Sequence, residues 1–286
     1  SCIHSNVADE DGGAIFSDGE LDIDNSTISG NDADTGGGVY FYAGECEITS
    51  ATITANSARL AGGFGWAGDN DSLDVSNTII AANTATTNFG NDILPTNSTN
   101  RILSQGYNLI GKDPGGFFTA TATDIEGTSG APVDPLLAPL SHNGGPTKTH
   151  ALLCGSPAFN NGDTSFSSFY RDQREYARTQ FGAADIGAFE NDWDMHGTLT
   201  VVNTNDSGEG SLRDAIAGAC SEMTIAFDNS LNGQTFTLTS GDIVISKNLS
   251  IDASALDSLI IDGNNNDRLF TAVSYTHLRA HETRRY

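Results

Sequence analysis

The sequence predicts an all-β protein wound as a right-handed parallel β-helix, and three observations carry that prediction. The chain repeats itself at an offset of 25 residues: GGAIF at 12–16 returns as GGVYF at 37–41 and GGFGW at 62–66. Likewise NSTISGN at 25–31 returns as SATITAN at 50–56, then as NTIIAAN at 77–83 after two extra residues around Asn70. Periods of this size are the signature of solenoids. Aliphatic residues keep fixed columns within the repeat, and so does one polar residue type, asparagine.

The columns define the turns expected over residues 1–111. Leu21, Cys46 and Leu73 form one; Ile23, Ile48 and Val75 form a second, two residues further on; Ile3, Ile28, Ile53 and Ile80 form a third. A spacing of two is the strand period, so both side chains of a strand enter the same interior. One turn has no core of its own, but stacking at about 4.8 Å buries every column against itself. Asn6, Asn31, Asn56 and Asn83 make the polar column. Asparagine at a repeated turn takes left-handed backbone angles and bonds the asparagines above and below, which makes it a structural ladder. The paired glycines mark a bend where backbones approach too closely for a Cβ.

GNDI at 90–93 and GYNLIG at 106–111 continue the coil less regularly. Pro132, Pro135 and Pro139 then mark a loop-rich closing segment, residues 112–192, that covers the open strand edge at the end of the solenoid. From 193 the chain resets, and residues 193–273 read as the capped start of a second β-helix. TLTVVN at 198–203 is an alternating strand. GSLRDAIAGA at 210–219 is a short amphipathic helix, with Ser211 as N-cap, Asp214 at the capping-box position, and Leu212, Ile216 and Ala219 on one face. TIAF, TFTLT, DIVI, LSID and SLIIDG supply the strands that follow.

Composition agrees and excludes several functions. Glycine numbers 32 and charged residues make only 17% of the 286, as expected of many short strands joined by tight turns. Thirteen Lys and Arg (13) against 37 Asp and Glu leave a net charge of -24, which repels phosphate backbones and anionic membranes. Nucleic acid is therefore set aside as a partner. Residues 1–58 hold eleven acidic side chains and no Lys or Arg. Cys2, Cys46, Cys154 and Cys220 are too few and scattered for a disulfide scaffold, and no CxxC pair supports zinc. No apolar run reaches the roughly 20 residues of a membrane span, so no membrane insertion is expected within this stretch. Ser1 falls inside a repeat, and the chain reads as a middle piece of a longer protein.

A resemblance enters with the closing segment. DPLLAPLSHNGGPTKTHALLCGSPAFNNGD at 134–163, RDQREYAR at 171–178 and GAADIGAFE at 182–190 resemble the choice-of-anchor Q domain, with Cys154 where that family commonly carries proline. The likeness covers about residues 1–190. It implies a pectin-lyase-like solenoid on an exported bacterial or archaeal surface protein, hence an extracellular or cell-surface location. VVNTNDSGEGSLRDAI at 201–216 is similar to the CSLREA-type start of such β-helices, with Gly210 in place of the cysteine. SYTHLRAHETRRY at 274–286 resembles translated sequencing-adapter read-through, so its His277 and His281 are not read as a zinc pair.

Candidate chemistry comes from strand alternation. With Leu21 and Ile23 inward, Glu20, Asp22 and Asp24 point outward; the next turns present Glu45, Glu47 and Thr49, then Ser72, Asp74 and Ser76. Six of the nine positions are acidic. Three readings stand side by side: a solvated acidic face, a calcium site at Asp22, Glu47 and Asp74 with Glu20 and Glu45 beside them, or a glycosidase carboxylate pair drawn from Asp22, Glu47 and Asp74. A polysaccharide lyase is disfavoured because the regular turns offer only Arg59 as a cation. His4, aligned with Ser29 and Thr54, is read as a surface residue. Arg171, Asp172, Arg174 and Arg178 are expected to fasten the closing segment through ion pairs. Tyr40, Tyr42, Phe64 and Trp66 alternate along their strands, so one of each set is available outward to stack on sugar rings unless packing claims it. The reading is a surface β-helix for adhesion or for binding polysaccharide or host material, with a carbohydrate-active enzyme as the alternative and calcium as the one cofactor in view.

Overall fold

In a computed structural model the chain forms two units, residues 1–193 and 194–286. The structure describes residues 1–68, 72–87, 90–96, 101–165, 171–179, 182–192, 197–264 and 268–273, with only the backbone at Ser72. The tail at 274–286 and most of the reset at 193–197 lie outside these residues.

The first unit is a parallel β-helix with four sheets per circuit. An isoleucine sheet stacks Cys2–His4, Thr27–Ser29, Thr52–Thr54, Ile79–Ala81, Leu109–Asp113 and Ile125–Thr128. A short sheet follows with Asp32–Thr35, Ser57–Leu60 and Thr84–Ala85. An aromatic sheet holds Ile15–Asp18, Val39–Ala43, Phe64–Trp66 and Ile93–Pro95. A carboxylate sheet holds Leu21–Asp24, Glu45–Thr49, Ser72–Ser76, Ile102–Gly106 and Phe118–Thr119. Strand neighbours are never consecutive in sequence, because each strand pairs with its counterpart one circuit away.

The expected columns stack in direct register. Ile3, Ile28, Ile53, Ile80 and Ile110 lie opposite one another, and from Ile28 onward they are fully buried. Leu21, Cys46 and Leu73, and Ile23, Ile48 and Val75, do the same. These residues join Val39, Phe41, Phe64, Trp66, Ile93 and Ile102 in one core running along the coil. Burial there raises the Cys46 thiol to about 12, with Asp22 and Asp74 adding to the shift.

The asparagine ladder forms as expected. Each backbone N–H and each Nδ2 donates to the next Oδ1: Asn6 to Asn31 (3.0 and 2.9 Å), Asn31 to Asn56 (3.0 and 2.9 Å), Asn56 to Asn83 (3.0 and 3.0 Å). The second Nδ2 hydrogen reaches back to a carbonyl, Asn56 to Ile28 and Asn83 to Ile53, both at 3.0 Å. Left-handed angles belong to the residue before each asparagine, Ser5, Gly30, Ala55 and Ala82 (φ 59, 65, 56 and 58°), which corrects the expected position by one. The ladder ends on Asp92, whose Oδ1 accepts from Asn83 N and Nδ2 at 2.9 and 3.0 Å. A terminal rung must accept and has nothing to donate to, which is what a carboxylate supplies. Burial raises this carboxyl to about 6 against the bonds from Asn83.

A second ladder, unforeseen, runs along the other end of the isoleucine strands. Ala51 N donates to Thr78 Oγ1 (3.1 Å), Thr78 N to Asn108 Oδ1 (3.0 Å), and Asn108 N to Asp124 Oδ1 (2.8 Å), so this one too ends on a carboxylate. The glycine pairs have the steric reason expected. A Cβ on Gly37 would sit 2.1 Å from the Ser57 carbonyl oxygen, and one on Gly63 2.7 Å from Asn83 Nδ2. Asp92 occupies the position of Gly63 one circuit on, where no further asparagine blocks a side chain.

Three expectations about layout are corrected. In the aromatic sheet Ile15 pairs with Val39 and Phe16 with Tyr40, one residue short of the repeat, and a bulge between Ser17 and Asp18 restores it. Coil strands continue past residue 111 to Ile125–Thr128. The closing segment, finally, lies along the flank of the coil, on the outer side of the isoleucine sheet. Gln173 Oε1 accepts from Thr27 Oγ1 (2.7 Å), His150 Nε2 pairs with Ser29 Oγ (2.8 Å), and Ala188 N donates to Thr52 Oγ1 (3.0 Å). A row of hydroxyls on that face attracts a polar strap, and threonines 27, 52 and 54 are buried beneath it.

The second unit begins with strand Thr198–Val201, in parallel with Thr224–Phe227 and then Ser250–Asp252. Thr235–Thr237 pairs with Ile260–Asp262, and Ile243–Ile245 with Phe270–Ala272, giving the start of a coil. Helix Leu212–Gly218 packs on the first strand through Leu212, Ala215 and Ile216. Ser211 Oγ accepts from Asp214 N at 3.2 Å, while the Asp214 carboxylate returns to Gly210 N at 3.2 Å. Arg213 ties the helix to the loop carbonyls of Gly241 and Asp242 at 2.8 and 2.9 Å.

Candidate functional site

The outer surface of the aromatic and carboxylate sheets gathers the predicted site residues on two neighbouring faces, joined on the first two turns at a glycine. Gly19 and Gly44 form that corner, and a Cβ on Gly44 would lie 2.7 Å from the Gly19 carbonyl carbon. The two strands of a turn thus follow each other with almost no intervening loop.

On the carboxylate sheet Asp22, Glu47 and Asp74 are direct register partners, as are Glu45 and Ser72. Asp22, Asp24, Glu20, Glu45 and Glu47 are exposed and Asp74 is half-buried. Gln105 Nε2 donates to Asp74 Oδ1 at 2.5 Å, and Thr49 Oγ1 to Glu47 Oε1 at 3.5 Å. Asp24 is shifted up by burial first and by Glu47 and Asp22 next. The column passes into Leu103 on the following strand. Thr49 and Ser76 are buried, with their hydroxyls bonded at 2.9 Å, so the acidic face narrows on that side. The carboxylates stand in line along the coil. Among the described residues no three His, Cys, Asp or Glu side chains converge on one metal position. Cavities of about 520 and 350 Å³ lie elsewhere, lined by residues such as Tyr107 and Asn160, and Asp92 and Pro132. The carboxylate column lies outside both.

The aromatic sheet departs from the expected division. Phe64 and Trp66 both face the core, and Tyr40 and Tyr42 both face out. Phe16 joins them, brought outward by the one-residue shift. Its ring stacks on Tyr40 at 6.0 Å (interplanar angle 23°) and on Tyr42 at 6.5 Å (26°). Tyr40 is largely covered: its ring lies over Gly65, whose Cβ would sit 3.1 Å from it, and its hydroxyl bonds Thr96 Oγ1 at 2.7 Å. Phe16 and Tyr42 are each 52% exposed. Tyr40 is thus a fixed base for Phe16, which in turn stacks on Tyr42, an arrangement suited to stacking on flat ligand faces.

The remaining candidates are structural. His4 pairs in register with Ser29 and bonds the neighbouring Ser5 hydroxyl at 3.1 Å. Arg59 is bound by Asp34 on the short sheet at 2.8 Å. In the strap Arg174 forms a buried ion pair with Asp172 (2.8 Å) and stacks over Phe189 at 3.8 Å. Arg178 donates to the Gly187 carbonyl at 2.9 Å and to Asn25 Oδ1 on the coil at 2.5 Å. Asp185, raised to about 6 by burial, accepts from Asn160 N and Asn191 N at 2.7 and 2.6 Å. NGGPT and DIGAFE are therefore fastening motifs. A Cβ on Gly145 would lie 2.8 Å from Arg174 Cα, and Gly187 (φ 102°) lies against Ile79 and Thr52. Set beside protein-family models, curated proteins and solved structures, the chain matches none.

Proposed function

We propose that this chain is the β-helical part of an exported, surface-displayed protein that binds polysaccharide. The observation that carries the reading is the Phe16, Tyr40 and Tyr42 stack, which presents two half-exposed rings on a sheet whose other large aromatics are buried. Solvent-exposed aromatic rings held rigid lose little entropy on binding and offer apolar faces to sugar rings. The carboxylates beside them accept hydrogen bonds from sugar hydroxyls. The carboxylate column runs on from turn to turn beside the stack, which suits a polymer. The choice-of-anchor Q resemblance supports the surface location. The carbohydrate-active enzyme is the weaker reading, because the outward carboxylates stand in a single file along one sheet. Affinity electrophoresis against a panel of soluble polysaccharides tests the proposal. At least one polymer should retard the protein, and Phe16→Ala with Tyr42→Ala should weaken that retardation by roughly tenfold, as for two lost aromatic anchors. Retardation by none of the panel, or indifference to the double substitution, contradicts it.

A further inference from the structure

The charge around the two open rings narrows the ligand further. Phe16 and Tyr42 are followed on their own turns by exposed Asp18, Glu20, Asp22 and Asp24, and by exposed Glu45 and Glu47. No Lys or Arg occurs in residues 1–58, and the first cation of the sequence, Arg59, is held by Asp34 on a different sheet at 2.8 Å. This face therefore lacks a counter-charge from its own strands. Aromatic faces also carry negative quadrupoles, so rings and carboxylates favour the same sign of ligand. A polymer bearing uronate or sulfate is repelled. A single metal ion is a poor match, since the carboxylates line up along the coil without converging. Ammonium groups spaced along a sugar chain match a line of carboxylates spaced by one strand each, about 4.8 Å.

We infer that the glycan taken by this face carries free amino groups, as glucosamine polymers do. The inference rests on the polysaccharide-binding reading above. Sugar rings lie on Phe16 and Tyr42, while protonated amines donate to Asp22 and Glu47 and their neighbours. The ammonium is a compact donor of three hydrogen bonds, and each neutralises a carboxylate held beside another.

The test uses the whole chain and two probes that differ only in charge, chitosan oligomers and their fully N-acetylated counterparts, titrated calorimetrically at mildly acidic pH in low and high salt. The chitosan oligomer is expected to bind at least about tenfold tighter in low salt, with most of that advantage lost in high salt. Asp22→Asn with Glu47→Gln should remove most of the preference, weakening the chitosan oligomer far more than the acetylated one. Phe16→Ala with Tyr42→Ala should weaken both oligomers. All four substitutions are at exposed positions, and a circular dichroism spectrum with the wild-type shape confirms each fold. Equal or tighter binding of the acetylated oligomer overturns the amine inference and leaves the glycan reading standing. Chitosan binding that ignores the aromatic substitutions overturns it too, as bulk attraction between polyelectrolytes. Failure of both oligomers, together with failure of the whole polysaccharide panel, removes the reading beneath.

Discussion

Replacing Asn56 by alanine removes one rung from the middle of the longer ladder, and the structure fixes what that rung does. Asn56 is fully buried; its Oδ1 accepts from Asn31 N at 3.0 Å and from Asn31 Nδ2 at 2.9 Å, and its Nδ2 donates to the Ile28 carbonyl at 3.0 Å. Asn31 Nδ2 keeps the Ile3 carbonyl at 3.2 Å, and Asn83 Oδ1 keeps the Asn56 backbone N–H at 3.0 Å. One buried backbone group, the Asn31 N–H, loses its partner, while the Ile28 carbonyl stays in the strand pairing with Thr52–Thr54. At about 1–3 kcal/mol for a stranded group, the loss is about 2 kcal/mol, a sizeable part of a typical domain's stability. Asn6→Ala is the control. Asn6 is exposed at the first rung and accepts nothing from another rung, so its loss should cost at most about 1 kcal/mol. Urea unfolding followed by circular dichroism measures both, with the slope checked for constancy. Equal costs at the two positions, or a cost below about 1 kcal/mol at Asn56, would refute the ladder as a source of stability.

Two further predictions concern the ladder's end and the strap. Asp92 has its carboxyl raised to about 6, above the ordinary 3.8, so its contribution is present below the unfolded value and is lost as pH rises through about 6. The urea midpoint should therefore fall between pH 4 and 6.5 by an amount on the order of 2 kcal/mol for this group, and Asp92→Asn should flatten that part of the profile; an unchanged slope contradicts the assignment. His150, lowered by burial, acts oppositely: its contribution is held above the ordinary 6.5 and declines as pH falls below it. Gly187→Ala forces a Cβ to 2.8 Å from both Ile79 Cδ1 and Thr52 Oγ1 at φ 102°. It should cost about 2–3 kcal/mol and open the strap to proteolysis between residues 135 and 192, whereas wild-type resistance in the variant contradicts the packing.

What was legible in the sequence was whatever the period controls. Columns such as Ile28, Ile53 and Ile80 are spaced by the repeat, stack by the repeat, and need no information from elsewhere. The outward Phe16 ring was not legible because the letters GGAIF and GGVYF align at 25 residues while the strands pair one short of it. A one-residue slip turns every side chain to the opposite face, so Phe16 lies in the open stack while Phe41, its counterpart by letter, lies in the core. The second ladder was hidden because its rungs change type, from Thr78 to Asn108 to Asp124. The asparagine in GYNLIG, following Tyr107 at φ 58° as Asn31 follows Gly30, was the available signal. The strap left no periodic trace at all, since Asn25 meets Arg171 and Arg178 across 146 and 153 residues of chain. Its motif blocks revealed a resemblance, and the sites they touch are set by tertiary packing.

Methyl NMR on protein labelled only at isoleucine tests the coil most directly. Nuclear Overhauser contacts should join Ile28 to Ile53, Ile53 to Ile80 and Ile80 to Ile110, each one circuit from the next, with no contact between Ile28 and Ile80. A direct Ile28–Ile80 contact, or the absence of the three sequential ones in a folded sample, contradicts the stacked coil and the binding face laid out upon it.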